Sequence, residues 1–264
     1  MTNLEMQRPI IAIVQGRMSS SRLPGKVLQD IGGQPMLARV VMRARRARTL
    51  DQVVVATTVD PSDDPITDFC RERGFPCFRG DLYDVLDRYY QAAKLFEAKV
   101  IVRLTADCPV IDPGEIDRTV TAFLDAGADF AANRLPPPLA RTTPIGLDTE
   151  VCTFDALEKA WKGARAKYER EHVMPYLYDE PGRFKVLVVD MEPDYGHLRW
   201  TVDTPEDLAA IRQIYAAFNN DDGFELTELL EMSRQHPEWH MMTSEVQHKS
   251  FLDVDEREIS GAQG

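Results

Sequence analysis

Ile10-Ile-Ala-Ile-Val14-Gln-Gly16-Arg17-Met-Ser-Ser-Ser-Arg22-Leu-Pro-Gly25-Lys26 is the stretch from which the rest of the chain can be read. Ile10 to Val14 is a short apolar run rich in β-branched residues and bounded by Pro9 and Gly16, the pattern of a buried strand in a parallel sheet. In open α/β sheets ligands collect beyond the carboxyl ends of the strands, and this strand opens into a loop of Gly16, three serines, Arg17, Arg22 and Lys26. That composition suits a polyphosphate. Glycine lets the backbone approach closely, N–H groups and hydroxyls donate hydrogen bonds, and three fixed cations offset the charge. A Walker loop fails on spacing, because its first glycine would fall at Ser20 and its Ser or Thr at Val27. No G-x-G-x-x-G occurs. The alternative to phosphate binding is a solvated basic turn.

Working outward, the elements alternate. A helical stripe of Met36, Leu37, Val40, Val41 and Ala44 is followed by a strand over Gln52 to Thr57 and a helix from Ser62-Asp63-Asp64 to about Arg73. Pro76 to Phe78 reads as a short strand ending at Arg79-Gly80-Asp81. Val85, Leu86, Tyr89, Tyr90, Ala93 and Phe96 mark another helix, and Lys99 to Thr105 a fourth strand. Repeated β-then-α units imply a parallel sheet with right-handed crossovers, hence a Rossmann-like three-layer α/β/α fold. Residues 1–242 are expected to form one domain, and the polar stretch 243–264 an exposed tail.

The fourth strand delivers Arg103-Leu-Thr-Ala-Asp107-Cys-Pro109, and Leu198-Arg199-Trp-Thr-Val-Asp203-Thr-Pro-Glu-Asp-Leu208 presents a second carboxylate before a capped helix. A carboxylate just beyond a strand end can hold Mg²⁺ against nucleotide phosphates, or simply cap a turn. Glu206 and Asp207 read as acids favourable to the helix dipole and nothing more.

Composition bounds the partners. A net charge of −12 over 264 residues argues against general nucleic-acid binding. No run approaches the apolar length of a membrane span and the N-terminus lacks an apolar signal core, so a cytoplasmic location is expected. Cys70, Cys77, Cys108 and Cys152 have no C-x-x-C spacing and are expected to be reduced thiols.

Three segments also carry a resemblance. Gln15-Gly-Arg-Met-Ser-Ser-Ser-Arg-Leu-Pro-Gly-Lys-Val-Leu28 resembles the signature of the cytidylyltransferases that make CMP-activated acidic sugars. The spore-coat polysaccharide F type is nearest, with CMP-Kdo synthetase and acylneuraminate cytidylyltransferase more distant. The family usually has Ala where Gly16 stands, and often Gly where Ser19 stands. Thr105-Ala-Asp-Cys-Pro-Val-Ile111 is similar to the Gly-Asp-x-Pro-Leu-Ile segment of CMP-Kdo synthetases, and Val202-Asp-Thr-Pro-Glu-Asp-Leu208 to their closing segment.

The resemblance implies transfer of CMP from CTP to an acidic sugar, with Mg²⁺ on Asp107 and Asp203 and with Arg17 and Lys26 beside them in the chemistry. Gln15, Gly16, Arg17, Ser20, Arg22, Lys26, Arg79, Gly80, Arg88, Arg103 and Asp107 are the expected nucleotide contacts. Lys26 is expected to grip the triphosphate as a clamp whose loss would hardly change stability. Residues 134–195 depart from the βα rhythm and read as a protruding arm with strands of its own, near Asp148 to Thr153 and Arg183 to Val189. The family uses such an arm to form a homodimer and complete the acceptor site. Within it, Tyr168-Glu-Arg-Glu171-His172-Val-Met-Pro-Tyr176 resembles the spore-coat type, which makes Glu171 and His172, with Arg199, the acceptor candidates. A glycosyltransferase using a nucleotide sugar and a non-catalytic nucleotide-binding protein remain the rival readings. The sugar itself is not encoded in any pattern found.

Overall fold

The computed structural model describes residues 8–137 and 139–243, and β1 (Ile10–Gln15) lies inside its seven-stranded sheet. A separate hairpin of β2 (Asp30–Ile31) and β3 (Gln34–Pro35) follows, then helix α1 (Met36–Ala44). Next come β4 (Gln52–Thr58), α2 (Asp64–Arg73), β5 (Cys77–Gly80), α3 (Val85–Leu95) and β6 (Val100–Thr105), the βα rhythm expected from the sequence. Strands β4 and β6 pair parallel with β1 on either side, and β5 pairs parallel with β4.

The apolar run of β1 explains its position. Ile10, Ala12 and Val14 face one core with α1, α2, α4 (Pro113–Ala126) and α8 (Pro205–Ala217), whereas Ile11 and Ile13 face another with α3 and α5 (Phe154–Gly163). A period of two with both faces apolar leaves no polar side to wet, so the strand is covered on both faces by helices. Each isoleucine so buried stabilises the fold by about 1.5–3 kcal/mol.

Beyond β6 the structure departs from expectation. The strands of the segment 134–195 do not form a sheet of their own. β8 (Glu150–Thr153) enters the main sheet antiparallel between β6 and β7 (Phe130–Ala132), and β9 (Val186–Val188) pairs parallel with β7. The sheet order is β5-β4-β1-β6-β8-β7-β9, in which β8 is the reversed strand. Adjacent Val151 and Cys152 are both fully buried, so β8 is apolar on both faces and belongs in a sheet interior. Helices α5, α6 (Lys167–His172) and α7 (Pro175–Tyr178) then run back toward α3, where Leu157, Val173 and Leu177 join the core of Tyr89 and Ala93. Residues 244–264 of the expected tail lie outside the described residues.

Candidate functional site

The loop after β1 is anchored at both ends. Gly16 N donates to Ala56 O at 3.2 Å, Gly25 N to Met18 O at 2.8 Å, and Met18 N to Asp63 Oδ1 at 2.7 Å. Asp63 is itself buried and accepts from Thr57 Oγ1, Thr58 N and Thr58 Oγ1 at 2.9, 3.1 and 2.5 Å, so strand β4 holds the loop through one carboxylate. The sequence reading took Asp63 only as a helix-opening acid. Gly25 adopts φ 70°, which a side chain would strain, and Lys26 then starts a short 3₁₀ turn.

That turn aims the Lys26 ammonium inward. Nζ donates to Asp107 Oδ2 at 2.9 Å, Asp203 Oδ1 at 3.0 Å and Val202 O at 2.7 Å, which uses all three of its donors. The Lys26 side chain is 10 % exposed. Burial alone would lower its pKa, but Asp107 and Asp203 outweigh that and hold it above the ordinary lysine value. Lys26 is therefore the cation that ties together the two aspartates expected to act, with its three donors committed to protein acceptors.

Asp203 is held from three sides, since Arg22 Nη2 lies 2.8 Å from its Oδ1 and Arg199 Nη2 3.0 Å from its Oδ2. Burial would raise its pKa, yet Lys26, Arg22 and Arg199 bring it to about 2. Asp207, read from the sequence as a dipole acid, does more. Fully buried, it accepts from Arg199 Nε and Nη2 at 2.8 Å each, from Asp203 N at 2.8 Å and from Thr204 N at 3.0 Å. Its carboxylate thus fixes both the backbone of Asp203 and the arginine that grips the Asp203 side chain. Asp107 is positioned across the gap by its own carbonyl, which accepts from Val202 N at 2.8 Å and Thr201 Oγ1 at 3.0 Å.

Two cavities open on either side of these carboxylates. The first is lined by Gln15, Gly16, Arg17, Ser20, Arg22 and Lys26 of the loop, by Val85 and Arg88 of α3, and by Glu171 and His172 at the end of α6. The second is lined by Arg103, Arg134, Arg141, Asp148, Glu150 and Thr201. Thr105, Asp107 and Asp203 line both. In the second cavity Arg103 pairs with Glu150, while Arg134 Nε and Arg141 Nη1 share Asp148 at 3.1 and 2.6 Å. Burial would raise the Asp148 pKa, but the two guanidinium groups hold it well below the usual carboxylate range. Two guanidinium groups thus converge on one carboxylate, in a lining where Arg103, Arg134 and Arg141 face Asp107, Asp148, Glu150 and Asp203.

Several expected contacts fall elsewhere. Arg79 spends its guanidinium on Thr58 O at 2.8 Å, Asp60 O at 2.9 Å and Asp64 at 2.7 Å, and so braces the β4–β5 end. Gly80 is a strand residue paired with Thr58. Arg103 lines the second cavity and donates from Nε to Gln15 Oε1 at 3.2 Å. Glu171 and His172, expected beside the acceptor, line the first cavity, and Arg199 is buried between Asp203 and Asp207. Arg134, Arg141, Asp148 and Glu150 were missed: ion pairs within an irregular stretch, and between the separate strands β6 and β8, leave no local pattern to find.

The donor chemistry fits a magnesium ion that arrives with a triphosphate. Asp107 and Asp203 converge on a single cation, and hard divalent ions accept one or two carboxylates completed by phosphate oxygens and water. Among the described residues no cluster of three or more His, Cys, Asp or Glu forms a metal cage.

One contact makes sense of a departure noted in the sequence. A methyl built on Gly16 would stand 3.0 Å from Ala106 Cβ. The resembling family has Ala at the first position and Gly at the second, so this chain carries the same methyl on the opposite side of the contact.

Comparison with known proteins gives a consistent result. A family model described as cytidylyltransferase matches residues 11–236. The spore coat polysaccharide biosynthesis protein SpsF of Bacillus subtilis is 30% identical over 236 residues, covering 87% of this chain and 95% of that protein. The 3-deoxy-manno-octulosonate cytidylyltransferase of Anaeromyxobacter dehalogenans strain 2CP-1 is 30% identical over 251 residues, covering 80% of this chain and 99% of that protein. Among solved structures, a cytidylyltransferase from Leptospira borgpetersenii superposes with a TM-score of 0.82 at 32% identity, covering 92% of this chain and 99% of the other. No helix among the described residues is long and apolar enough to cross a membrane.

Proposed function

We propose, from the premise that the chain belongs to the cytidylyltransferase family, that this nucleotidyltransferase moves CMP from CTP to a hydroxyl of an acidic sugar and releases pyrophosphate. The observation that carries the reading is the pair of cavities meeting at Asp107 and Asp203. The first has the cationic loop for a triphosphate. The second has the guanidinium groups of Arg134 and Arg141, whose planar donor edges suit one carboxylate on the acceptor.

In this reading Arg17 and Arg22 hold the phosphates, and Asp107 and Asp203 would hold Mg²⁺, which when bound supplies charge neutralisation at the phosphates. Lys26 holds the two carboxylates together, and Asp207 with Arg199 fixes Asp203. The acceptor hydroxyl approaches the α-phosphorus from the second cavity, the new P–O bond forms as the bond to pyrophosphate breaks and the hydroxyl proton passes to water, and rate comes chiefly from positioning and electrostatics. Glu171 and His172 wall the nucleotide cavity. The segment 134–195 is proposed to mediate a homodimer, a two-fold contact of at least about 1,000 Å² that light scattering would detect as twice the chain mass.

A pyrophosphate-release assay over four nucleoside triphosphates and a panel of acidic sugars tests the reading. CTP with at least one acidic sugar is expected to release pyrophosphate, and CTP alone is not. Release that needs a glycan and a nucleotide sugar would favour a glycosyltransferase, and CTP binding without turnover on any acceptor would favour a sensor.

A further inference from the structure

The four hydrogen bonds of the buried Asp63 carboxylate reach two different parts of the fold. Asp63 ends the short 3₁₀ turn Pro61–Asp63 that follows β4, is 1 % exposed and lines neither cavity. Its Oδ2 accepts from Thr57 Oγ1, Thr58 N and Thr58 Oγ1 at the end of β4, and its Oδ1 from Met18 N in the loop after β1. Met18 is in turn the residue on which that loop closes. Ser20 N and Gly25 N donate to Met18 O at 2.9 and 2.8 Å, so both limbs of a stretch with neither helix nor strand from Gly16 to Gly25 meet one carbonyl, and the N–H of the same residue hangs from Asp63. Arg17 precedes this hub, Ser20 and Arg22 lie within the closed turn, and all three line the first cavity.

The junction calls for an acid. A carboxylate offers acceptors on both edges, whereas the carboxamide of asparagine offers an oxygen on one edge and an NH₂ donor on the other. With its oxygen toward the three donors of β4, an asparagine would set its NH₂ against Met18 N–H, and the loop would lose its anchor while the strand kept its own. Ordering a free loop costs backbone entropy at every residue, and a ligand that must order its own site binds more weakly for it. Resting on the nucleotide reading above, we propose that Asp63 is a positioning residue for the triphosphate. Without touching the ligand, its carboxylate holds the loop cations over the strand ends before the nucleotide arrives.

The full chain, Asp63→Asn and Thr57→Val are compared by calorimetric titration with inorganic tripolyphosphate and with CTP, each with Mg²⁺, by steady-state pyrophosphate release and by amide hydrogen exchange. Thr57→Val removes one donor from β4 and leaves the Met18 bond in place, so it reports what lost stability alone does. In ligand-free wild type the Met18 amide should exchange at least about 100-fold more slowly than in an unstructured peptide, and exchange at the unstructured rate would overturn the proposal whether or not a variant folds. Asp63→Asn should release that protection while the amides of β1 keep theirs. It should also weaken tripolyphosphate and CTP by a common factor of about 10, as for one charge-assisted bond, and raise KM for CTP with kcat within about 3-fold of wild type. Thr57→Val should bind both ligands as the wild type does. Equal weakening in the two variants would assign the effect to general destabilisation and overturn the proposal, as would an Asp63→Asn variant that binds tripolyphosphate like the wild type. A wild type that binds neither tripolyphosphate nor CTP would sink the nucleotide reading itself, and the proposal with it.

Discussion

Replacing Lys26 by Met keeps an unbranched side chain as far as the ε position and deletes the charge that joins the site. Two charge-assisted bonds and one bond to Val202 O are lost, the former worth about 1.5–3 kcal/mol each in a buried setting. Asp107 and Asp203 both lie about 3 Å from the same nitrogen, so they stand within about 6 Å of one another. Their unscreened repulsion at an effective dielectric of about 20 is roughly 2–3 kcal/mol. Asp203 keeps Arg22 and Arg199, and the Asp107 side chain is 27 % exposed, so both retain part of their stabilisation. The net loss is therefore expected near the low end for breaking a buried pair, about 2–4 kcal/mol. For a domain of this size that lowers Tm by roughly 5–12 °C. Mg²⁺ should restore more stability to the variant than to the wild type, because the two carboxylates no longer share an ammonium. Thermal and urea unfolding with and without Mg²⁺ read this directly. A Tm within about 1 °C of wild type in EDTA would refute the argument, since it is what a surface lysine or an open phosphate clamp would give.

Asp107→Asn and Asp203→Asn should each lower kcat at least about 10²-fold, as for loss of an electrostatic stabiliser, and full activity in either would remove that residue from the site. Gly16→Ala adds a second methyl to the contact with Ala106 and should destabilise the fold and raise KM for CTP, while adding Ala106→Gly should recover most of both; purely additive effects in the double-mutant cycle would contradict the exchange. The Asp203 carboxyl, depressed from 3.8 to about 2 against its burial, releases its proton more readily in the folded state. Its stabilisation is therefore complete above about pH 4 and is lost as pH falls toward 2, so Asp203→Asn should flatten the stability curve in that window, and parallel curves would contradict it.

What the sequence made legible was local. The two-sided apolar run of β1, the turn residues Pro24-Gly25 and the carboxylates beyond strand ends follow from periodicity and composition, and the structure brings Lys26, Asp107 and Asp203 together as those patterns imply. What was hidden was pairing at long range. Lys26 meets partners 81 and 177 residues away, and nothing near it in the chain says that its donors are already committed. Asp207 has the signature of an ordinary helix-start acid and only the approach of Arg199 gives it another role. Strand β8 was read as part of an arm because the irregular segment before it breaks the βα rhythm, whereas its burial on both faces is set by β6 and β7.

The central claim, that CTP and an acidic acceptor react across Asp107 and Asp203, is tested most directly by ³¹P NMR of the enzyme with CTP, Mg²⁺ and the acidic sugar that best supports pyrophosphate release. The account predicts that the α-phosphate signal converts to a phosphodiester while free pyrophosphate appears in equal amount. A product that retains the β-phosphate, or CTP left unchanged beside every acidic acceptor while it remains bound, would contradict it.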